Sequence, residues 1–397
     1  MEKRFIAIQI GARRNYLVPS ILQQAGMLES FYTDMCANAG LGLMLNRFCP
    51  QSLRHNALKQ LLNRRVPPSI EGKINTFDGV IIRHSLRRIF LKNNYQVFQN
   101  IDRDFGREMS RQGVGNASHI FSMFGEGTDF LEFAKNKGLK IVVEVYISPS
   151  TAQIVQKERE NFSELEPLKT PPSIIKAERF KRVCRLADMF IVPSYFVKKG
   201  LEELGVSTVQ CYTVPYGVGE DGIKLDNHPT KGRVLFVGTA GLRKGIHILG
   251  MAAQKLSQRS YEFRVAGGVS DILRKHRLTQ GLKFLGRVPR TDIQQEYAKA
   301  DIFVLPTLAE GSAEVTYEAL AAGLPVITTE AAGSVIRDGI EGFIIPERDP
   351  EALANRIEEL VENRELRDRM AIAARERAKD YTWEKYAERL LAVFQMI

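Results

Sequence analysis

Residues 301–323 read Asp301-Ile-Phe-Val-Leu-Pro-Thr-Leu-Ala-Glu310-Gly-Ser-Ala-Glu314-Val-Thr-Tyr-Glu318-Ala-Leu-Ala-Ala-Gly323. An apolar run, Asp301–Leu305, reads as a buried strand, and the Pro, Thr and Gly after it form a loop that opens into a helix near 312–322. Ser312 is placed as its N-cap and Gly323 as its stop. Free amides at such a helix start, with the dipole behind them, make a seat for a diphosphate. Glu310 lies just before that seat, and Glu318 lies about 9 Å along the helix at 1.5 Å per residue. Both carboxylates are natural partners for hydroxyl groups. Read alone, this segment fits better with Glu310 and Glu314 as helix-start charges and Glu318 as a solvent carboxylate.

The strand-and-helix unit recurs on either side. Val234–Gly238, Glu262–Ala266, Leu282–Leu285, Pro325–Thr329 and Gly342–Ile345 are strand-like, helices are expected near 246–258 and 292–299, and the tail from about 350 to 396 is helical throughout. Alternation of this kind predicts a parallel sheet covered by helices. In the first half Phe5–Ile10, Ile120–Phe124, Ile141–Val145 and Phe190–Val192 are buried strands, with Gly11 and Gly125 closing strand-to-helix turns. The fold class is therefore α/β, with two Rossmann-like doubly wound domains. The divisions expected are 1–212, 213–380 and a C-terminal helix, 381–397, packing back on the first domain. The junction falls after Cys211–Val214, at Pro215-Tyr216-Gly217.

A chain of 397 residues, 44% hydrophobic and 26% charged, is neither a small stapled domain nor a disordered one. No stretch approaches a spanning helix, and Met1-Glu2-Lys3-Arg4 leads into a short apolar run without a cleavage site behind it, so a cytoplasmic location is expected. Cys36, Cys49, Cys184 and Cys211 fit neither a metal clip nor a disulfide framework. Residues 1–200 carry 30 Lys and Arg against 18 Asp and Glu, and residues 201–397 carry 26 against 28. The densest basic stretch, 51–100, interleaves Arg54, Lys59, Arg64, Arg65, Arg83, Arg87, Arg88 and Lys92 with Leu61, Leu62, Ile81, Ile82, Leu86, Ile89, Phe90 and Leu91. An anionic membrane surface or an anionic acceptor suits such a face, and a solvated basic face that aids solubility is the alternative. No nucleic-acid module is present, so no nucleic-acid partner is expected.

Three features mislead. Gly217-Val218-Gly219-Glu220-Asp221-Gly222 matches a dinucleotide fingerprint, yet the next residues, Ile-Lys-Leu-Asp-Asn-His-Pro, open no helix. Asp102-Arg103-Asp104 imitates a metal clip, but on a helix from Tyr95 to Ser110 the two carboxylates point about 200° apart. The six histidines are scattered, and no metal site is expected.

Strand Val234–Gly238 runs into Thr239-Ala240-Gly241-Leu242-Arg243-Lys244-Gly245, placing two cations at a strand's carboxyl end, where open α/β sheets bind ligands. A bidentate Arg and a point-charge Lys suit a departing diphosphate, and a plain basic turn is the alternative. Further segments accompany these: Ala266-Gly267-Gly268, Phe284-Leu285-Gly286-Arg287-Val288, Glu310-x7-Glu318, Glu318-Ala-Leu-Ala-Ala-Gly-Leu-Pro-Val-Ile, Ala187–Ser194 and Val214–Val218. Together they resemble the family 4 retaining glycosyltransferases of the GT-B fold, most specifically over about 185–345.

The resemblance implies a nucleoside-diphosphate sugar donor of UDP or GDP type, no further cofactor or metal, and transfer with retention to a glycan or lipid-linked acceptor. It assigns Arg243, Lys244 and Glu310 as catalytic. Gly11, Gly238, Gly267, Arg287, Gly311, Ser312, Val315, Thr316 and Glu318 join them around the donor, with Glu310 on the sugar, Glu318 on the ribose and the Phe284–Arg287 turn beside the base. Two departures stand out. Gly11-Ala12-Arg13-Arg14-Asn15-Tyr16 replaces a Gly-Gly-rich loop, and Glu144-Val145-Tyr146 stands where many members carry a donor-side His. Arg13, Arg14, Glu144 and Tyr146 are thus acceptor-side candidates, while His119 reads as packing. Another GT-B reaction, such as epimerisation, and a silent nucleotide-sugar binder or membrane adaptor are the alternatives.

Overall fold

Thirteen strands, every pair parallel, form two sheets in the computed structural model, which describes residues 2–54, 56–90, 94–168 and 174–397. Met1, Leu91 and Lys92 lie outside the described residues, as do the side chains of Leu86, Arg87, Arg88, Ile89 and Phe90. The first sheet holds β1 (Phe5–Ile8), β2 (Leu28–Thr33), β3 (Ile74–Thr76), β4 (His119–Met123), β5 (Lys140–Glu144), β6 (Met189–Val192) and β7 (Cys211–Thr213) in the order β3-β2-β1-β4-β5-β6-β7. The second holds β8 (Arg233–Val237), β9 (Glu262–Ala266), β10 (Leu282–Gly286), β11 (Ile302–Leu305), β12 (Val326–Thr328) and β13 (Gly342–Ile344) in the order β10-β9-β8-β11-β12-β13. β1 and β11 are buried along their whole length, as helices on both faces of a parallel sheet require.

In each sheet the strand order reverses once, between β1 and β4 and between β8 and β11. Side loops diverge at such a point and leave a crevice beyond the carboxyl ends of the strands. Four loops therefore matter: those after β1 and β4 in the first domain, and those after β8 and β11 in the second.

β2 and β3 were not expected. Leu28-Glu-Ser-Phe-Tyr-Thr and Ile74-Asn-Thr carry polar residues where a buried run would be apolar: β3 is the half-buried edge strand, and in β2 Glu29 and Ser30 are half-buried between buried neighbours. The tail is three helices, Pro350–Glu362, Arg364–Lys379 and Trp383–Phe394, interrupted where Asn363 and Thr382 turn their side chains to cap the next helix. A helical turn, Glu220–Ile223, does follow Gly219, contrary to the reading of that segment; Glu220 and Asp221 suit its positive end. The carboxylates of Asp102 and Asp104 diverge, the first to the Gly127 amide at 2.7 Å and the second to His84 at 2.8 Å.

The chain crosses between the domains twice. It leaves the first sheet after Thr213 and returns at Tyr381–Trp383, and the crossings touch: the Val218 amide donates to the Tyr381 carbonyl at 2.8 Å, and Val218 pairs with Thr382 as a parallel bridge. Gly217 permits the approach, since a Cβ there would lie 2.8 Å from the Thr382 backbone. The last helix then lies on the first domain, with Phe394 against Phe5 and Phe121 at ring distances of 4.8 and 5.8 Å. No helix among the described residues is long and apolar enough to cross a membrane.

Candidate functional site

The loops after β8 and β11 meet at Glu310. Its carboxylate lies 2.6 Å from Arg243 Nη1 and 2.8 Å from Lys244 Nζ. The cation loop is held by backbone: the Arg243 carbonyl accepts from the Leu308 amide and the Thr307 hydroxyl, each at 2.8 Å, and Arg243 Nη1 donates to the Ala309 carbonyl at 3.0 Å. Gly245 makes this docking possible, because its φ is +70° and a Cβ would stand 1.8 Å from the Pro306 carbonyl oxygen. Burial alone would raise the Glu310 pKa; Lys244 and Arg243 outweigh it and hold the carboxyl below its usual range. One carboxylate thus faces two cations, leaving a net positive charge where β8 and β11 end.

Ser312 is not the N-cap. The helix runs Glu314–Ala321 behind an extended Ala313, and the Ser312 hydroxyl instead donates to the Gly333 carbonyl at 2.7 Å and meets the Tyr317 hydroxyl at 2.8 Å. Holding the neighbouring loop takes precedence over capping. With the start at Glu314, Glu318 lies about 6 Å along the helix rather than 9 Å. Ala313 and Thr316 amides bond to Ala332 and Ala313 carbonyls, and the Thr316 hydroxyl turns back to Ala313, so among the described residues the Glu314 and Val315 amides are the ones left open at the helix start.

Glu318 accepts a 2.8 Å bond from the Tyr297 hydroxyl. Its burial raises its pKa, and that bond opposes the rise only in part. Gly238 and Gly267, at the ends of β8 and β9, clear the floor: a Cβ on Gly238 would touch Lys244 at 3.0 Å and one on Gly267 would strike the Gly238 carbonyl at 1.9 Å. Arg287 is exposed and lies beside Gly268.

On the first domain's side, Gly11 turns the chain at φ +83°, its amide donating to Asp34 at 2.9 Å. Arg14, Asn15 and Tyr16 then follow in left-handed backbone, φ 45°, 50° and 60°. For residues with a Cβ that conformation costs roughly 1–2 kcal/mol each. Gln9, bonding the Gly11 and Arg13 carbonyls, helps hold it. The turn aims Arg14 between the domains, where its guanidinium lies 2.9 Å from Glu144, 3.0 Å from Glu314 and 3.5 Å above the Tyr216 ring. Arg13 is exposed, 3.7 Å over the ring of Tyr146. Glu144 is 2% exposed and also accepts from the Tyr216 hydroxyl at 3.2 Å, so it meets the cleft only through Arg14. His119 packs against Phe5 at 4.8 Å.

The domains touch directly at Gly311. A Cβ there would lie 1.8 Å from the Tyr146 carbonyl oxygen, and Ser194 donates its hydroxyl to the Gly311 carbonyl. A second bridge runs from the helix Thr151–Asn161: Glu158, fully buried, meets His247 at 2.7 Å and Arg348 at 2.6 Å. Glu166 accepts from the Leu242 amide at 2.7 Å, so the first domain braces the loop that carries Arg243 and Lys244. Tyr297, Glu166, Glu158 and Glu126, whose carboxylate accepts from the Ile10 amide at 2.7 Å, escaped the sequence reading. Each reaches the site across the fold, and no local spacing marks them. Among the described residues no group of three or more His, Cys, Asp or Glu stands ready to hold a metal ion.

Comparison with known proteins agrees with this architecture. Residues 221–377 match the family of glycosyl transferases group 1. The chain is 32% identical over 215 residues to a phosphatidyl-myo-inositol mannosyltransferase of Mycobacterium tuberculosis, covering 50% of this chain and 56% of that protein. It is 29% identical over 217 residues to a sulfoquinovosyl transferase of Arabidopsis thaliana, covering 50% and 42%. The chain spans about half the length of the curated relatives it matches. Sucrose-phosphate synthase from Thermosynechococcus elongatus superposes with a TM-score of 0.68 over 99% of both chains at 17% identity. HepE from Anabaena, solved with UDP-glucose, gives 0.62 over 99% of this chain and 100% of that one at 14% identity. The fold is the two-domain GT-B arrangement, and the matched family is one of glycosyl transferases.

Proposed function

We propose that the protein transfers a hexose-type sugar from a nucleoside-diphosphate sugar, of UDP or GDP type, to a glycan or lipid-linked acceptor, retaining the anomeric configuration and needing no metal. The observation that carries this reading is the meeting of Arg243, Lys244 and Glu310 within ion-pair distance beside an open helix start. A bound diphosphate would take over the two cations and the Glu314 and Val315 amides, freeing Glu310 for sugar hydroxyls, while Glu318 would hold the ribose. As the bond from the anomeric carbon to the phosphate oxygen breaks, negative charge gathers on that oxygen, and fixed cations and amides stabilise it without reorganisation. For retention the acceptor hydroxyl attacks from the face the diphosphate leaves. The departing phosphate oxygen is then the nearest acceptor for the hydroxyl proton, and no protein base is required.

Thermal-shift titration with UDP, GDP and their sugar conjugates, with and without a chelator, tests this first. A chelator-insensitive rise with one nucleotide series supports it, and transfer to an acceptor then follows from retained product stereochemistry. No rise with any nucleotide would overturn it. Release of nucleotide without glycosylated product would favour the epimerase-like alternative.

A further inference from the structure

Helix Gly40–Phe48, Gly-Leu-Gly-Leu-Met-Leu-Asn-Arg-Phe, turns the usual burial pattern around. It rests on the body of the first domain through its small residues: a Cβ on Gly42 would stand 1.9 Å from the Cys36 carbonyl oxygen, and the Leu41 amide donates to Asp78 at 2.7 Å. The large apolar side chains point outward. Leu43, 48% exposed, stands apart on another side of the helix from the other four: Leu41 is 39% exposed, Met44 55%, Leu45 37% and Phe48 71%. At 3.6 residues per turn these four fall within about 100° of arc, the width of the stripe that a helix ordinarily buries. Exposed apolar residues scattered singly need no explanation, whereas a contiguous stripe on one helix does.

Charge selects among the occupants such a stripe could take. Residues 35–70 contain no Asp or Glu and five Lys or Arg, and of these Arg47, Lys59 and Arg65 are exposed. A second copy of this chain would bring the same cations face to face, which disfavours a self-interface. We propose that the helix Gly40–Phe48 seats the protein on an anionic lipid surface, with Met44 and Phe48 entering the headgroup boundary and the neighbouring cations meeting lipid phosphates. The proposal deepens the acceptor reading above, and rests on it for its purpose. The helix follows β2, and Asp34, just after β2, receives the Gly11 amide at 2.9 Å and pairs with Arg64 at 2.8 Å. A lipid-linked acceptor lying in that surface is thereby presented beside the first-domain loop of the cleft.

Flotation of the full chain with phosphatidylcholine vesicles, with and without phosphatidylglycerol, tests the proposal. Wild type should bind the anionic vesicles and release as salt rises. Phe48→Asp and Met44→Asp should each weaken binding by about tenfold or more, as expected for removing one buried large apolar side chain from the boundary. Ile372→Asp, at an exposed apolar site on the helix Arg364–Lys379, should bind like wild type. Melting curves of the variants separate lost contact from lost fold. Indifference of wild type to anionic lipid, or equal binding by Phe48→Asp, overturns the proposal. So does a dimer that Phe48→Asp dissolves in the absence of vesicle binding. A nucleotide-induced thermal shift without vesicles reports on the transferase reading alone, so either idea can fail while the other stands.

Discussion

Arg14 Nε stands 3.0 Å from Glu314 Oε1, joining two residues 300 positions apart across the cleft. The same guanidinium holds the buried carboxylate of Glu144. Arg14→Ala would strand that carboxylate, a loss of about 3–5 kcal/mol for a broken buried pair. Thermal denaturation should show the drop, and adding Glu144→Gln should recover part of it. Arg14→Lys should not rescue, because an ammonium cannot fork to two carboxylates while stacking on Tyr216.

Glu310 and Glu318 respond to pH with opposite signs. Glu310 lies below the usual carboxylate range, so its ion pairs contribute fully above that range and are lost as pH falls through its depressed value. Glu318 lies above the range, so its contribution is full at lower pH and is lost as pH rises through its raised value. Glu310→Gln should therefore flatten the acid limb of the stability profile, and Glu318→Gln should raise the melting temperature of the ligand-free protein at neutral pH.

Turnover should separate from these stability effects. Arg243→Ala and Glu318→Ala should each lower it by at least about tenfold, equivalent to 1.4 kcal/mol of transition-state stabilisation, with the fold intact. Wild-type turnover in both would remove the site assignment.

Gly311→Ala places a methyl group against the Tyr146 carbonyl oxygen, where 1.8 Å is available. Backbone on both sides must yield, so the domains should stand apart. Small-angle scattering should report a larger radius, with activity down by about tenfold from misplacement and only modest loss of stability. An unchanged radius and activity would show that the contact is dispensable.

Glu158 is buried between His247 and Arg348. Burial would raise its pKa, but the bonds from His247 and then Arg348 hold it below the ordinary range. Its contribution should therefore be present above that range and fade as pH falls through the lowered value. Glu158→Ala should cost about 1–3 kcal/mol by leaving the buried His247 without its partner, while Arg348, 42% exposed, turns to water. Chemical denaturation at neutral pH measures it.

Strands with continuous apolar runs, such as Ile302–Leu305, and cations set after a strand, such as Arg243 and Lys244, are legible because burial and loop chemistry are written locally. β2 was not, since Glu29 and Ser30 interrupt its buried residues and leave no continuous apolar run to find. Ser312 shows a different limit. Its spacing satisfies the rule for a cap, yet a tertiary bond to Gly333 claims the hydroxyl. Tyr297 and Glu158 belong to helices whose local pattern explains them fully, and only the assembled fold brings them to Glu318 and His247.

The bridge between Val218 and Thr382 has a mechanical consequence. A single strap would let one lobe swivel against the other in any direction. Two straps fastened side by side resist that twist, because turning one lobe against the other about the linker would have to part the Val218 amide from the Tyr381 carbonyl.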